Sequence, residues 1–243
     1  MKKLIIAALL LLLLITGTIF FSLNFLVKKA VNALGPKIMK VEVCLGSANL
    51  SPFSGSGRLT HLLVGNPAGY KTPYAVLLGN IDLKTKTDSI FSNTILLDEI
   101  AIRNPEITLE GTPFGNNLVR ILDNLKGSSK SAKNDESERS AGSTKSRKFI
   151  VKEIIIYGAK LHISVSTANQ SFDQTLILPD IHIQNIGSSE GGVSAAELAQ
   201  EILNPLINSA IRSGTGPLLK EGLKGLNIKG AEQINKALNS LFK

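Results

Sequence analysis

The side chains that could do acid–base or metal chemistry are few in this sequence. His162 and His182 stand at alternate positions of predicted strands, on the side opposite the isoleucine and leucine residues, and Asp180 shares a face with His182. An Asp-x-His pair could bind a metal ion or transfer protons, but a solvated strand face has the same spacing. His61 has no obvious partner. We therefore expect these four positions to be ordinary polar surface.

Cys44 is the only cysteine, so the chain cannot form an internal disulfide, and one cysteine with three scattered histidines is too few for a structural zinc site. The sequence contains no GxSxG, no HExxH, no complete P-loop and no GxGxxG followed by a helix. We predict no catalytic residue, no metal site and no cofactor, and we predict that the protein is not an enzyme.

The elements around these residues begin with a long apolar segment. No charge lies between Lys3 and Lys28, and at about 1.5 Å per helical residue this segment covers the ~30 Å hydrocarbon core of a bilayer. We predict a transmembrane helix over residues 4–27. The alternative is a cleaved signal peptide with Lys2 and Lys3 as its n-region, but the apolar run is long and no A-x-A-like site follows it. Two lysines stand on each side of the apolar segment, so these charges do not set its orientation in the membrane. The short N-terminus favours a body on the extracytoplasmic side.

The charge distribution excludes one class of partner. The formal net charge is +8, but much of the excess lies in the lysines that flank the apolar segment and in residues 127–148. The rest of the chain is nearly neutral and shows no clustered basic face, which a nucleic-acid-binding protein needs. We predict no nucleic-acid partner.

A strand–bend–strand unit occurs twice, over residues 98–109 and 152–163, and aligned positions carry matching apolar residues. Each unit keeps one apolar face, so it needs neighbours to cover that face. These stripes are our candidate lipid-facing or core residues: Ile100, Ile102, Ile107, Leu109, Ile154, Ile156, Leu161 and Ile163.

The period becomes helical after the second unit. Ser194 is a predicted N-cap with Glu197 three residues on, and the apolar face of the tail helix is formed by Leu198, Ile202, Leu206 and Ile207. We expect this helix to cap the sheet, since its polar face has few basic residues to attract anionic lipid. A last amphipathic helix is predicted over residues 231–241.

The predicted fold is mainly β with flanking helices. It comprises an N-terminal transmembrane helix, an extended curved antiparallel sheet of strand–bend–strand units, one short helix and C-terminal amphipathic helices. In chain order we predict an anchor (1–29), a juxtamembrane helix (30–40) that Gly35-Pro36 stops, a β-rich part (41–126), a disordered polar loop (127–148), a second β repeat (149–187) and a helical tail (188–243).

The order of these motifs resembles the AsmA-like envelope proteins. The motifs are the N-terminal anchor, the Asn-Pro-x-Gly-aromatic turn at residues 66–70, the two strand–bend–strand units and the Asn-Leu-x-x-Ile-Leu-x-x-Leu helix at residues 117–125. The resemblance covers residues 1–187 and implies a single-pass protein of the inner (cytoplasmic) membrane with its body in the periplasm. It also implies a curved sheet whose apolar inner face shields lipid chains. The chain is much shorter than the family's bridge-like members, and its tail has no match there.

Two functions from different classes remain open. The first is a lipid-handling envelope protein, active in lipid transport or outer-membrane assembly, whose apolar sheet face holds phospholipid. The second is a membrane-anchored scaffold with a closed core, whose partner is another envelope protein or a second copy of the chain. An open curved sheet favours the first and a filled core the second.

Overall fold

The computed structural model describes residues 2–112, 115–138, 147–166 and 171–225. Besides a one-turn 3-10 helix at Thr87–Ser89, the chain forms three α-helices and ten strands within these ranges. In order they are α1 (Lys2–Met39), β1 (Val43–Ser51), β2 (Ser56–Val64), β3 (Val76–Thr85), β4 (Thr94–Arg103), β5 (Glu106–Thr112), β6 (Gly115–Asn116), α2 (Asn117–Glu138), β7 (Lys148–Tyr157), β8 (Lys160–Ser166), β9 (Ser171–Ile177), β10 (Ile181–Ile186) and α3 (Ala195–Gly225). The expected mainly β fold with flanking helices is confirmed.

All ten strands belong to one curled sheet with the shape of a half-barrel. The central path runs β10-β7-β4-β3-β5-β8-β9, and β2 and β1 extend it from β3. The predicted all-antiparallel pairing is wrong, because β4 pairs with β7, and β5 with β8, in parallel. The two strand–bend–strand units therefore lie side by side in the same direction. A parallel pair needs a long crossover connection, and α2 provides part of it.

The two bends are stacked on each other. Asn104 turns the first unit with φ 47° and Gly158 turns the second with φ 66°, and both values lie in the left-handed region. The backbone N–H of Asn104 donates to the carbonyl of Tyr157 at 2.9 Å. A Cβ atom on Gly158 would overlap the side chain of Asn104, so glycine is required by both conformation and space.

Helix α1 continues past the residues that were expected to stop it. We expected Gly35-Pro36 to stop it, but the helix contains Pro36 and ends at Met39. A proline in a helix interior removes one backbone hydrogen bond. Tertiary contacts to the last turn of α1 offset this loss. The side chains of Asn124 and Ser128, both on α2, donate to the carbonyls of Met39 and Ile38 at 2.9 and 2.6 Å.

The membrane-anchor prediction concerns the first part of α1. Among the residues searched in the described part of the chain, no helix is long and apolar enough to cross a membrane. The side chains of residues 2–5 and 7–21, on which the prediction mainly rests, lie outside that part. The transmembrane helix therefore stays a prediction.

The predicted disordered loop at residues 127–148 is largely replaced by regular structure. Helix α2 continues from Asn117 to Glu138 and β7 begins at Lys148. The segment after residue 127 is rich in Ser, Lys and Glu, and it follows an apolar helical stripe that nucleates the helix against the sheet. Residues 139–146 lie outside the described residues.

The tail helix covers the sheet, as we expected. Ser194 and Glu197 form the predicted capping box, in which the N–H of Glu197 meets the Ser194 hydroxyl at 3.3 Å and the N–H of Ser194 meets the Glu197 carboxylate at 2.9 Å. Leu206 and Ile207 are fully buried, whereas Leu198 and Ile202 are partly buried at the border of the core. The predicted helix at 231–241 lies outside the described residues.

Candidate functional site

The eight candidate stripe residues all lie in a filled core. Each is between 0 and 4 % exposed. The alternation of the strands places them on the face that α2 and α3 cover. Leu118, Ile121 and Leu125 of α2 close one part of this face, and Leu206 and Ile207 of α3 another. In this structure the chain's own helices therefore occupy the space in which a lipid chain would have to lie.

The junction between α1 and β1 is a site that sequence reasoning missed. Among the described strands, β1 pairs only with β2, so its other edge would leave backbone groups without partners. Helix α1 lies along that edge. The Oδ1 atoms of Asn24 and Asn32 accept hydrogen bonds from the N–H groups of Leu50 and Leu45 at 2.8 and 2.6 Å. Between them, Lys28 Nζ donates to the carbonyl of Gly46 at 2.6 Å.

The spacing of these three side chains explains the fit. Asn24, Lys28 and Asn32 follow each other at intervals of four, so they form one polar row on α1. The row meets β1 in reverse order, which makes the helix antiparallel to the strand. A polar row that begins in an otherwise apolar segment was the signal in the sequence that could have revealed this contact.

The junction also depends on a close contact between the backbone of α1 at Gly35 and the side chain of Val43 on β1. A Cβ atom on Gly35 would lie 2.6 Å from Cγ1 of Val43, far inside van der Waals contact. Only glycine lets the end of α1 reach the start of β1. Because Met39, Val41 and Val43 then enter the core, α1 and the sheet form one packed unit.

The Asn-Pro-x-Gly-aromatic turn and the start of α2 are joined by a buried polar network. Asn117, which is fully buried, donates to Asn66 Oδ1 at 2.7 Å and to the carbonyl of Thr108 at 2.8 Å. The Glu110 carboxylate accepts from the N–H groups of Lys71 and Thr72 and from the Thr72 hydroxyl, at 2.7 to 2.9 Å. Burial raises the pKa of Glu110, but the hydrogen bonds from Thr72 and Lys71 outweigh it and hold this pKa below its usual value.

A polar cleft of about 430 Å³ lies on the outer side of the sheet. Tyr74 donates from its hydroxyl to Glu106 Oε2 at 2.8 Å, and burial together with this hydrogen bond raises the pKa of Tyr74 to about 12. Sequence reasoning missed this Tyr74–Glu106 pair, since the two residues are distant in sequence. Tyr74 is therefore a neutral donor at physiological pH.

His162, which we expected from the sequence to be ordinary polar surface, lines the same cleft. Its Nδ1 lies 3.0 Å from the Thr175 hydroxyl, and its Nε2 lies 3.8 Å from Glu106 Oε2. The second distance is too long for a hydrogen bond, so in this structure the hydrogen bond of the imidazole is to Thr175 and not to the carboxylate. The three residues are cross-strand neighbours on a partly exposed face.

The remaining predicted polar residues lie apart from the cleft. His182 is exposed and 3.9 Å from Glu153, and Asp180 accepts from the N–H of Gly158 at 3.2 Å. His61 is exposed on β2 and Cys44 is exposed on β1. Within the described residues, no group of three or more His, Cys, Asp or Glu side chains could hold a metal ion.

Comparison of the sequence with known protein families and with curated proteins finds no match. The α1–β1 junction and the filled core are the two features of the described residues that bear most directly on function.

Proposed function

We propose that the protein is a membrane-anchored scaffold of the cell envelope, in which α1 is the anchor and the closed-core sheet is a body held rigidly on it. The observation that carries this proposal is the α1–β1 junction. An anchor joined by a flexible linker would let the body move freely, whereas the row of Asn24, Lys28 and Asn32 bonds one continuous helix to the edge of the sheet. Such an arrangement suits a protein that presents a surface to a partner at a fixed position.

The filled core supports the scaffold over lipid handling. Residues of α2 and α3 that are less than 8 % exposed cover the apolar face. Moving these helices aside to admit a lipid would expose their own apolar side chains to water, at a cost of about 25 cal/mol per Å². The partner on this proposal is a second envelope protein or another copy of the chain.

The core substitution Ile156→Asp separates the two functions. In a closed core it buries a carboxylate without a partner, so we expect loss of the cooperative unfolding transition of the full-length protein in detergent. The matched control is Ile155→Asp, because Ile155 is the next residue on β7 and is partly exposed. A folded Ile156→Asp protein that has lost bound phospholipid would instead favour the lipid-handling function.

The location of the body can be tested with the single cysteine. Because Cys44 is exposed, a membrane-impermeant maleimide should label it in spheroplasts if the body lies in the periplasm. Labelling that requires lysis would place the body in the cytoplasm.

A separate experiment distinguishes the anchor from a cleaved signal peptide. If α1 is an uncleaved anchor, the protein should resist carbonate extraction, and its intact mass should include residues 1–29.

Lipid handling of the AsmA-like type is the second candidate. It is favoured by the curled shape of the sheet, whose inner face is apolar along both strand–bend–strand units. It requires α3 to leave that face. Faster hydrogen exchange of the α3 amides in the presence of phospholipid vesicles would support it, and unchanged exchange would argue against it.

A further inference from the structure

The antiparallel contact between α1 and β1 fixes which end of the sheet is close to the apolar part of α1. Asn32 lies beside Leu45, whereas Asn24 lies beside Leu50, near the end of β1. Preceding residues of α1 therefore extend past this end of the sheet. We call it the α1-proximal end.

Two loops project at the α1-proximal end. One is the β1–β2 turn over residues 52–55, and the other is the β3–β4 loop over residues 86–93. They are neighbours, because the N–H of Thr85 donates to the carbonyl of Gly55 at 2.7 Å. Each loop carries one large apolar side chain on its surface. Phe53 is 74 % exposed and Phe91 is 72 % exposed.

The β3–β4 loop is ordered by its own hydrogen bonds. The Ser89 hydroxyl donates to the carbonyl of Lys86 at 2.7 Å and accepts from the N–H of Leu96 at 2.9 Å. Arg147 donates to the carbonyl of Ile90 at 3.5 Å. Phe91 is therefore presented outward by a fixed loop.

Among the described residues at this end the charges are mixed, with basic residues in slight excess. Lys86, Arg147 and Lys148 lie on or beside the β3–β4 loop, together with the acidic Asp88 and the nearby Glu190. Exposed aromatic rings beside basic side chains are typical of protein surfaces that contact the headgroup region of a bilayer.

We propose that Phe53 and Phe91 form a membrane-contact rim that inserts into the bilayer from which α1 emerges. The inference rests on the proposed anchoring by α1. The rings would enter the boundary between headgroups and acyl chains, about 5–10 Å deep. Phe25, which is 60 % exposed and next to Asn24 on α1, continues the apolar surface from the rim to the anchor. Together the two loops and the helix hold the body against the membrane at three points.

The absence of tryptophan from the sequence gives a clean test. Phe53→Trp and Phe91→Trp each introduce a single tryptophan, which can be excited selectively over the three tyrosines. The full-length variants are reconstituted in nanodiscs of phosphatidylethanolamine and phosphatidylglycerol. Half of the preparations contain brominated acyl chains, which quench tryptophan on contact. We expect a blue-shifted emission and a clear loss of intensity with brominated lipid for both variants.

Two control positions make the outcomes distinguishable. Ile177→Trp probes a residue that is 79 % exposed but pairs with Lys160, beyond the far end of β7, so the ~30 Å length of that strand separates it from the rim. Its emission should not change. Ile6→Trp probes α1 itself, since Ile6 is 57 % exposed within the predicted anchor.

Quenching at position 6 without quenching at 53 and 91 would overturn the rim and leave the anchor standing. Quenching at 53 and 91 without quenching at 6 would support the rim as a surface contact and overturn the anchor. No quenching at any of the three positions would overturn both. Equal quenching at 177 would show that the body lies flat on the bilayer, which also overturns the rim.

Discussion

The Oδ1 atom of Asn32 lies 2.6 Å from the backbone nitrogen of Leu45 and accepts its hydrogen bond. A helix side chain thereby takes the place that a neighbouring strand would have on the edge of β1. An uncovered strand edge is a site at which another chain can pair. The contact therefore serves both the stability of the body and its protection from aggregation.

Loss of this acceptor should destabilise the protein. Asn32→Leu keeps the branched shape of the side chain but leaves the N–H of Leu45 without its partner, which we expect to cost about 1–3 kcal/mol of unfolding free energy. Urea unfolding of the full-length protein in detergent measures the change. Asn32→Asp keeps an acceptor and should lose less, and Asn49→Ala, at an exposed position of β1, should lose little. Equal losses for Asn32→Leu and Asn32→Asp would contradict the role of the oxygen.

Because Gly35 lies very close to Val43, substitutions at these two positions should affect stability together. Alanine is normally the better helix former by up to about 1 kcal/mol, but Gly35→Ala would press its Cβ against Val43. We expect a net destabilisation of roughly 1–3 kcal/mol. Adding Val43→Ala should recover part of the Gly35→Ala loss, as a double-mutant cycle would show.

A second glycine is the control for that experiment. Gly79 lies within β3, and a Cβ atom there would meet no other atom within 4 Å. Gly79→Ala should therefore be neutral or slightly stabilising. A loss as large as that of Gly35→Ala would mean that the α1–β1 contact is not the cause.

The carboxylate of Glu110 predicts a pH dependence of stability. Its pKa is lower in the folded protein than its ordinary value near 4.5, so folding favours the ionised form. This stabilisation is fully present above the ordinary pKa and is lost as the pH falls through the folded-state pKa. Melting temperatures between about pH 7 and pH 3 should fall less steeply for Glu110→Gln than for the unaltered protein.

At neutral pH, Glu110→Gln should itself cost about 1–3 kcal/mol, because charge-assisted hydrogen bonds from Lys71 and Thr72 are replaced by weaker ones. Glu190→Gln changes an exposed carboxylate and should leave both the stability and its pH profile as they are. If the two variants have the same profile, Glu110 is not the group responsible.

The histidines are expected to tolerate substitution. His162 and His182 are partly or fully exposed, and each lies almost 4 Å from its carboxylate neighbour. His162→Ala and His182→Ala should change the unfolding free energy by no more than about 0.5 kcal/mol and leave the protein's function intact. A folded His162→Ala protein that has lost its function would point to chemistry in the Tyr74–Glu106 cleft.

The sequence predicted which residues share a face far better than how the strands pair. Alternation alone placed Ile100, Ile102, Ile154 and Ile156 on one side, and the structure buries all four. Alternation is the same in parallel and antiparallel strands, so it could not show that β4 and β7 run in the same direction. That direction is set by the crossover through α2, a non-local feature.

Local rules failed where tertiary contacts were stronger. Pro36 is a reliable local stop signal, yet contacts from Asn124 and Ser128 hold the helix beyond it. The polar network around Asn117 and Glu110 was also unpredictable, because Asn117 meets Asn66 across 51 residues of chain. Such partners become visible only when the strands between them are paired.

The antiparallel course of α1 along β1 also has a mechanical consequence. The hydrogen bonds of Asn24, Lys28 and Asn32 run across the α1 axis, so a force along that axis pulls the body and the helix past each other. The three bonds therefore share the load in shear and break together, whereas bonds in a peeling geometry would open one after another. The junction therefore resists a force along the helix axis better than one that lifts α1 off the strand.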